Sequence, residues 1–142
     1  MKKNTLIRSG SVLALALFSG LTMAANTTLS VEILGPGGHS NGDYGNVNAV
    51  HAAARAAMNI EKVAPDAVVT HVNGGNSVNS IAADAHFQVM LSDKNAKALK
   101  AKADKVKAAV MEGCAAENAF RGVKPGAKTS DGLSMDIRCT VK

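Results

Sequence analysis

The sequence predicts an α+β domain in which a four-stranded antiparallel sheet carries two helices on one face, the ferredoxin-like βαββαβ arrangement. The apolar period alternates between about two and about 3.6 residues, in the order strand, helix, strand, strand, helix, strand. Each predicted strand has a single apolar face, so one side of the sheet must be covered and the other exposed. Both predicted helices are amphipathic and supply that cover.

The first 24 residues are predicted to be a secretory signal peptide rather than part of the fold. Three basic residues precede an apolar run over residues 11–23, which ends in a small-residue cleavage site at Ala24. The run is too short to span a bilayer. The predicted cut follows Ala24, with Ala25 as the alternative, so we expect a periplasmic or secreted protein consisting of one domain, residues 25–142.

The charge of the predicted mature chain is close to neutral. The leader carries three of the 16 basic residues and no acidic one, which leaves 13 basic against 11 acidic residues and a net charge of +2. Only one aromatic residue, Tyr44, lies near the Gly-rich loop, where it might have stacked on a base. We therefore expect no nucleic-acid partner and, once the leader is removed, no association with a membrane.

The first strand is predicted over residues 28–34, because alternate residues from Leu29 to Ile33 are apolar. Residues 35–45 form a loop dense in Gly, Asn and Pro. Its glycines could cradle a phosphate at a helix N-terminus, or they could form a turn that holds His39 at the sheet edge. The run matches neither GxGxxG nor GxxxxGK[ST], so the turn is favoured.

Two helices are predicted, over residues 46–62 and 94–114, with Asp93 as the cap of the second. The apolar stripe of the first consists of Val47, Val50, Ala54, Ala57 and Met58. The predicted buried stripe of the second consists of Ala96, Leu99, Ala103, Val106 and Val110. Six lysines surround that stripe, and a solvated helix surface is favoured over a binding patch.

Three more strands are predicted, over residues 67–73, 85–92 and 133–141. A turn at residues 74–76 joins the first two of them, and residues 117–131 form a looser connection to the last. The inward residues predicted for the last strand are Leu133, Met135, Ile137, Cys139 and Val141.

The two cysteines, Cys114 and Cys139, are predicted to form a disulfide. Export exposes the chain to oxidants, and both residues lie on the helical side of the predicted sheet. The alternative is a pair of buried free thiols. A bridge would close a loop of about 25 residues and stabilise the fold by about 3 kcal/mol.

The histidines indicate no metal centre. His71 and His86 lie on neighbouring predicted strands and could approach each other, but no spacing matches a recognised zinc pattern. A small molecule or peptide could bind the open sheet face, although a merely solvated face is favoured. That face is predicted to expose His71, Asn73, His86, Gln88 and Met90.

Two segments resemble the dimerisation (lid) domain of zinc exopeptidases related to carboxypeptidase G, tripeptidase and aminoacylase. Residues 35–50, GPGGHSNGDYGNVNAV, are similar to the family pattern G-x-x-x-H-S followed by a Pro/Gly-rich stretch and N-A-[IV] at the start of a helix. Residues 74–85, GGNSVNSIAADA, resemble the family turn G-G-x-x-x-N-x-I-P-x-x-A. Both motifs fall where the predicted βαββαβ order requires them.

The resemblance implies two substrate-binding side chains. His39 matches the lid histidine that reaches the partner subunit's active site and helps to bind the substrate carbonyl or the tetrahedral intermediate. Asn79 matches the turn asparagine that contacts substrate. Gly75, with Gly74, would permit the tight turn that presents Asn79.

The chain also departs from the family pattern. The third strand of the family usually ends in Asp-x-Arg, whose arginine binds the substrate carboxylate, whereas Met90 and Ser92 stand here. Ala82 replaces the family proline. The metal-binding motifs of the family's catalytic domain are missing on both sides of the lid-like region. We therefore expect no catalytic residue, no metal, no cofactor and no peptidase activity from this chain alone.

The resemblance implies an isologous homodimer that pairs through the first helix and the adjacent edge strand. The residues predicted at that interface are His51, Arg55, Met58, Val69 and His71. We expect an exported, non-catalytic binding or assembly module. The alternatives are a subunit or inhibitor that supplies His39 and Asn79 in trans to a separately encoded metallopeptidase, and an enzyme remnant without a selected role.

Overall fold

The computed structural model describes residues 23–142, so most of the predicted leader lies outside the described residues. The chain order is β1 (Ala25–Leu34), β2 (Gly38–His39), α1 (Ala49–Val63), β3 (Val68–Gly74), β4 (Ser80–Ile81), β5 (Asp84–Asp93), α2 (Ala96–Phe120) and β6 (Arg138–Val141). Both helices are too short or too polar to span a membrane, within the residues described.

The main sheet has the strand order β3-β5-β1-β6, and every neighbouring pair is antiparallel. β1 and β5 form its centre and pair along their whole length, from Ala25 opposite Asp93 to Leu34 opposite Asp84. β3 and β6 are the two edges. The α+β prediction of a four-stranded antiparallel sheet with two helices is confirmed, and the structure adds the short pair β2–β4 outside the main sheet.

The core lies between the sheet and the helical layer. Alternate residues of β1 and β5 are buried, with Ile33, Phe87 and Val89 almost fully inaccessible. The two helices approach very closely, because a Cβ placed on Gly113 of α2 would lie 2.5 Å from the backbone nitrogen of Ala56 on α1. Glycine facing alanine thus sets the spacing of the helices.

The apolar stripe that helix α1 buries differs from the apolar stripe that predicts the helix from the sequence. Its buried residues are Ala49, Ala52, Ala53, Ala56 and Ile60. Of the stripe identified from sequence, Val50, Ala54 and Met58 are exposed. The helix therefore carries two apolar stripes, and among residues 23–142 only one of them is covered. Its N-cap is Asn48, whose side-chain oxygen accepts from the amides of Val50 and His51.

Helix α2 begins and ends later than predicted. Its N-cap is Asn95, whose Oδ1 accepts from Ala98 N at 2.9 Å, and not Asp93. Asp93 ends β5 and pairs with Lys102 of α2 at 3.1 Å. Ala96, predicted to be buried, is exposed, because it starts the first turn. The helix continues to Phe120, through residues predicted to be loop.

The last strand is shorter than predicted. β6 starts at Arg138, and Leu133 and Met135 are exposed at 64% and 37% instead of facing the core. Asn118 of α2 explains the change, because its side chain accepts from Ile137 N at 2.7 Å and donates to Ile137 O at 3.1 Å. These two bonds hold the chain against α2 before it reaches the sheet.

The disulfide prediction is confirmed. Cys114 of α2 and Cys139 of β6 are bonded, with their Cα atoms 6.4 Å apart, inside the usual range for disulfides. The bond ties the edge strand β6 to the helical layer.

A β-bulge interrupts β3 between Thr70 and Asn73, so His71 does not pair directly opposite His86. Asn73 pairs opposite His86 instead. His71 lies in the bulge with φ of 54°, a left-handed conformation that few non-glycine residues adopt. The other predicted residues of the open face, His86, Gln88 and Met90, are exposed on β5.

One lysine of α2, Lys102, joins the first half of that helix to the end of the sheet; Lys102, Asp66 and Asp93 are called the lysine cluster below. Lys102 Nζ lies 2.6 Å from Asp66 Oδ2, 3.1 Å from Asp93 Oδ2 and 2.7 Å from Ser92 O. Hydrogen bonds with Lys102 lower the pKa of Asp66 and, after the Lys94 amide, that of Asp93. The same contacts raise the pKa of Lys102.

Candidate functional site

The two sequence motifs meet in space through the short pair β2–β4. Gly38 pairs with Ile81 and His39 with Ser80, although the two segments are about 40 residues apart. Ser40 N also donates to Asn79 O at 2.9 Å. Backbone pairing therefore fixes the loop that carries His39 against the turn that carries Asn79.

The side chains of His39 and Asn79 are in contact. His39 Nε2 lies 3.2 Å from Asn79 Nδ2, and both residues are exposed. Asn41 N donates to His39 Nδ1 at 3.2 Å. When Nδ1 accepts from Asn41 N, the neutral ring carries its proton on Nε2, and the Asn79 amide nitrogen beside it is a second donor rather than a hydrogen-bond partner. In that tautomer the two N–H groups can face a single ligand oxygen such as a carbonyl.

Asp43 braces the loop around His39. Its Oδ2 accepts from His39 N at 2.7 Å, while the amides of Gly42 and Asp43 donate back to His39 O. The carboxylate packs against Gly38, where a Cβ would lie 2.5 Å from the Asp43 Cβ and where φ is +141°. Asp43 and Asn41 are positioning residues that sequence reasoning missed; their short spacing from His39 was the only available signal.

The turn beside Asn79 depends on Gly75 for its shape. Gly75 has φ of +72°, and its N–H donates to Asp84 O at 3.2 Å. The Ser77 hydroxyl donates to Asn79 Oδ1. Gly75 therefore supports the turn through its backbone, and Asn79 places its side chain beside His39.

A buried carboxylate lies at the junction of α1 and α2. Glu117 is fully buried. Its Oε1 accepts from Asn48 N at 3.1 Å and its Oε2 from Arg55 Nε at 3.1 Å, and Arg121 Nε lies 3.4 Å away. The guanidinium groups of Arg55 and Arg121 both pack on the Phe120 ring, 4.9 and 5.1 Å from its centroid. Sequence reasoning missed this cluster, because it ended the helix before Glu117.

The five residues predicted at a dimer interface separate into two groups. Arg55 contacts Glu117, and His51 Nδ1 lies 3.9 Å from Glu117 Oε1, so both lie on the side of α1 that faces α2. Met58, one helical turn beyond Arg55 on α1, is exposed, while Val69 and His71 lie on the edge strand β3.

The positions of the family's carboxylate clamp contain no cation. Met90 and Ser92 are exposed near the end of β5, opposite Thr28 and Asn26 of β1. Across residues 23–142, no three His, Cys, Asp or Glu side chains form a group that could hold a metal ion.

The family model of the peptidase dimerisation domain matches residues 25–118. The chain belongs to this family. The match covers both motifs, the His39–Asn79 contact and the edge formed by α1 and β3. No curated protein matches the chain.

Solved structures of larger proteins contain the same fold. The chain is similar to an aminobenzoyl-glutamate utilization protein from Klebsiella pneumoniae (18% identity, TM-score 0.62), covering 85% of this chain and 28% of that one. It is also similar to a tripeptidase from Staphylococcus aureus (15% identity, TM-score 0.59), covering 84% of this chain and 29% of that one. A hydantoinase/carbamoylase family amidase from Burkholderia ambifaria is similar as well (23% identity, TM-score 0.57), with 84% of this chain and 27% of that one covered. The chain thus spans less than a third of each of these proteins, and at these identities the likeness is one of fold.

Proposed function

We propose that this domain forms an isologous homodimer through the outer flank of α1 and the edge strand β3, and acts in the periplasm or outside the cell as a non-catalytic binding or assembly module. The outer flank is defined here as Val50, Ala54, Ala57 and Met58. The observation that carries the proposal is the second apolar stripe of α1, which nothing in the described chain covers. Val72 of β3, 62% exposed, extends it, and together with Val50 lines a shallow depression.

The edge of β3 offers backbone groups for pairing. Ser30 and Lys142 exchange both backbone hydrogen bonds, so the N–H and C=O of Leu29 point the other way, toward Val89 of β5. The backbone N–H and C=O of Val89 therefore point toward β1. Val69, the neighbour of Val89 on β3, directs its own N–H and C=O away from the sheet. A second copy could accept these bonds.

The bulge at His71 limits the strand contribution. A bulge in an edge strand interrupts its pairing surface. We therefore expect backbone pairing along Val68–Thr70 only, with the outer flank supplying most of the apolar area. This differs from the interface predicted from sequence in leaving out His51 and Arg55, which are engaged with Glu117.

Sedimentation of residues 25–142 tests the proposal. We expect a dimer for the wild type and a monomer for Met58→Glu, because a charge would be buried in the interface. Met111→Glu is the matched control, since Met58 and Met111 are 60% and 51% exposed on different helices. A wild-type monomer at high concentration, or equal effects of the two substitutions, would refute the proposed interface.

The contact between His39 and Asn79 favours a second candidate function. An exposed pair of donors with a fixed ring orientation suits an oxygen ligand. The domain could supply this pair in trans to a separately encoded metallopeptidase, as its subunit or inhibitor.

Capture from the exported fraction tests this candidate. We expect the wild-type domain to retain a metallopeptidase, and His39→Ala with Asn79→Ala to lose it. His86→Ala, an exposed histidine on the open sheet face, is the control and should retain it. Absence of a metallopeptidase from the wild-type capture would rule the trans role out.

A further inference from the structure

A groove lies between the Gly-rich loop and the segment that precedes β6. Its walls are residues 35–46 on one side and residues 129–138 on the other, and its volume is about 480 Å³. Cavities of this size accommodate small ligands. Residues 129–138 lie beyond residues 25–118, the part of the chain that matches the family model.

Both walls are braced by internal hydrogen bonds. On the loop side, Asn46 Nδ2 donates to Gly37 O at 2.9 Å, and Asp43 holds His39 N. On the other side, Leu133 N donates to Thr129 Oγ1 at 3.0 Å, and Met135 N donates to Ala127 O at 2.9 Å. A groove that is already formed loses little conformational entropy when it binds a ligand.

The groove contains two opposite charges that do not neutralise each other. Arg138 and Asp43 both line it, yet they lie beyond the 4.0 Å of an ion pair, and neither has another ion-pair partner among residues 23–142. Asp43 uses Oδ2 to accept from His39 N, while no hydrogen bond engages its Oδ1. Leu133, 64% exposed, adds an apolar surface to the wall.

We propose that this groove binds the two free termini of a short peptide. The guanidinium of Arg138 receives the carboxylate, because its planar fork matches that group. Asp43 receives the ammonium group, and Leu133 contacts an apolar side chain of the ligand. The site shares no residue with the proposed dimer interface and does not depend on it.

Titration with the dipeptide L-alanyl-L-leucine, followed by NMR of residues 25–142, tests the proposal. We expect saturable shifts of the amides of Gly37, Asp43 and Leu133. The N-acetylated and the C-amidated dipeptides should each bind at least about tenfold more weakly, the size of effect expected when a charge-assisted hydrogen bond is lost. Absence of saturable shifts, or binding of the blocked dipeptides as tight as that of the free dipeptide, would overturn the proposal.

Two substitutions assign the termini. Arg138→Gln should weaken binding at least about tenfold, whereas Lys124→Gln, which removes a cation that does not line the groove, should leave it unchanged. Asp43→Asn keeps an acceptor for His39 N and should make the free and N-acetylated dipeptides bind equally. Equal loss in the Arg138 and Lys124 variants would indicate attraction by net charge only and contradict the site. Should a variant fold poorly, the blocked dipeptides on the wild type still decide the matter.

Discussion

The two flanks of helix α1 differ in how far their side chains find partners within the described chain. The flank facing α2 contacts Glu117 of that helix. The Glu117 carboxylate accepts hydrogen bonds from Asn48, Arg55 and Arg121. The outer flank carries small and apolar side chains, with Met58 60% exposed. One flank holds polar groups that are matched inside the molecule, and the other holds apolar groups that remain in water.

The difference indicates that the flank facing α2 stabilises the fold, whereas the outer flank is available for association. A fully buried carboxylate that already accepts three hydrogen bonds is out of reach of a partner. An exposed apolar stripe beside an open strand edge gains free energy only when a second surface covers it. The stripe most visible in the sequence is the exposed one, so it contributes little to the fold of the monomer.

Removal of Glu117 is expected to have the largest effect. Glu117→Ala leaves Arg55 and Arg121 without their common partner and should lower the free energy of unfolding by about 3 to 5 kcal/mol. Glu112→Ala, an exposed residue of the same helix, should change it by no more than about 0.5 kcal/mol. Urea unfolding followed by circular dichroism measures both, and similar midpoints would show that the buried cluster is dispensable.

Loss of the disulfide comes next. Replacement of Cys114 and Cys139 by alanine opens a loop with a sequence separation of 25 residues and should cost about 3 kcal/mol. The same loss should follow when the wild type is unfolded in a reducing buffer. A variant as stable as the oxidised wild type would show that the contacts of Asn118 with Ile137 suffice to hold β6.

The contribution of the outer flank to stability should appear only as a dependence of the thermal unfolding midpoint on protein concentration. Binding of the native state to a second copy raises the midpoint of thermal unfolding as the protein concentration increases. We expect this increase for the wild type and Met111→Glu, and a constant midpoint for Met58→Glu. Calorimetry over a hundredfold range of concentration makes the measurement, and a constant wild-type midpoint would place the interface elsewhere.

The smallest expected effect concerns pH and the ion pairs of Lys102 with Asp66 and Asp93, which lie outside both flanks of α1. Because the folded state lowers the pKa of Asp66 and Asp93, their stabilisation is complete above the unfolded values of about 4 and is lost as the pH falls through the lower folded values. Lys102→Met should therefore flatten the decline of stability between about pH 4 and pH 2. Unfolding midpoints of the variant and the wild type across that window test this, and parallel curves would exclude the cluster as the cause.

Periodicity was sufficient to predict the fold, because strand faces and helix stripes are repeated signals. The order of elements, the exposed face of β5 and the Cys114–Cys139 pair all follow from it. Single competing residues decided the remainder. Asn95 displaced Asp93 as cap because Asp93 pairs with Lys102, and Asn118 shortened the last strand by binding the backbone of Ile137.

The candidate site was only partly predictable. Motif resemblance located His39 and Asn79, and the structure brings them into contact. Asn41 and Asp43, which orient His39, act through backbone amides, and their short spacing from His39 is the only signal that they leave in the sequence. The bulge at His71 and the buried Glu117 depend on long-range packing, which local propensity does not encode.

The bond between Cys114 and Cys139 encloses residues 115–138 in a covalent ring. Exposed turns such as the one at Gly132 are preferred sites of proteolytic cleavage. A protease that cuts there leaves two chain fragments that remain joined through sulfur. β6 thus stays attached to the sheet, and the clipped protein would migrate as two pieces only after reduction. The ring therefore provides tolerance of proteolytic damage in addition to stability.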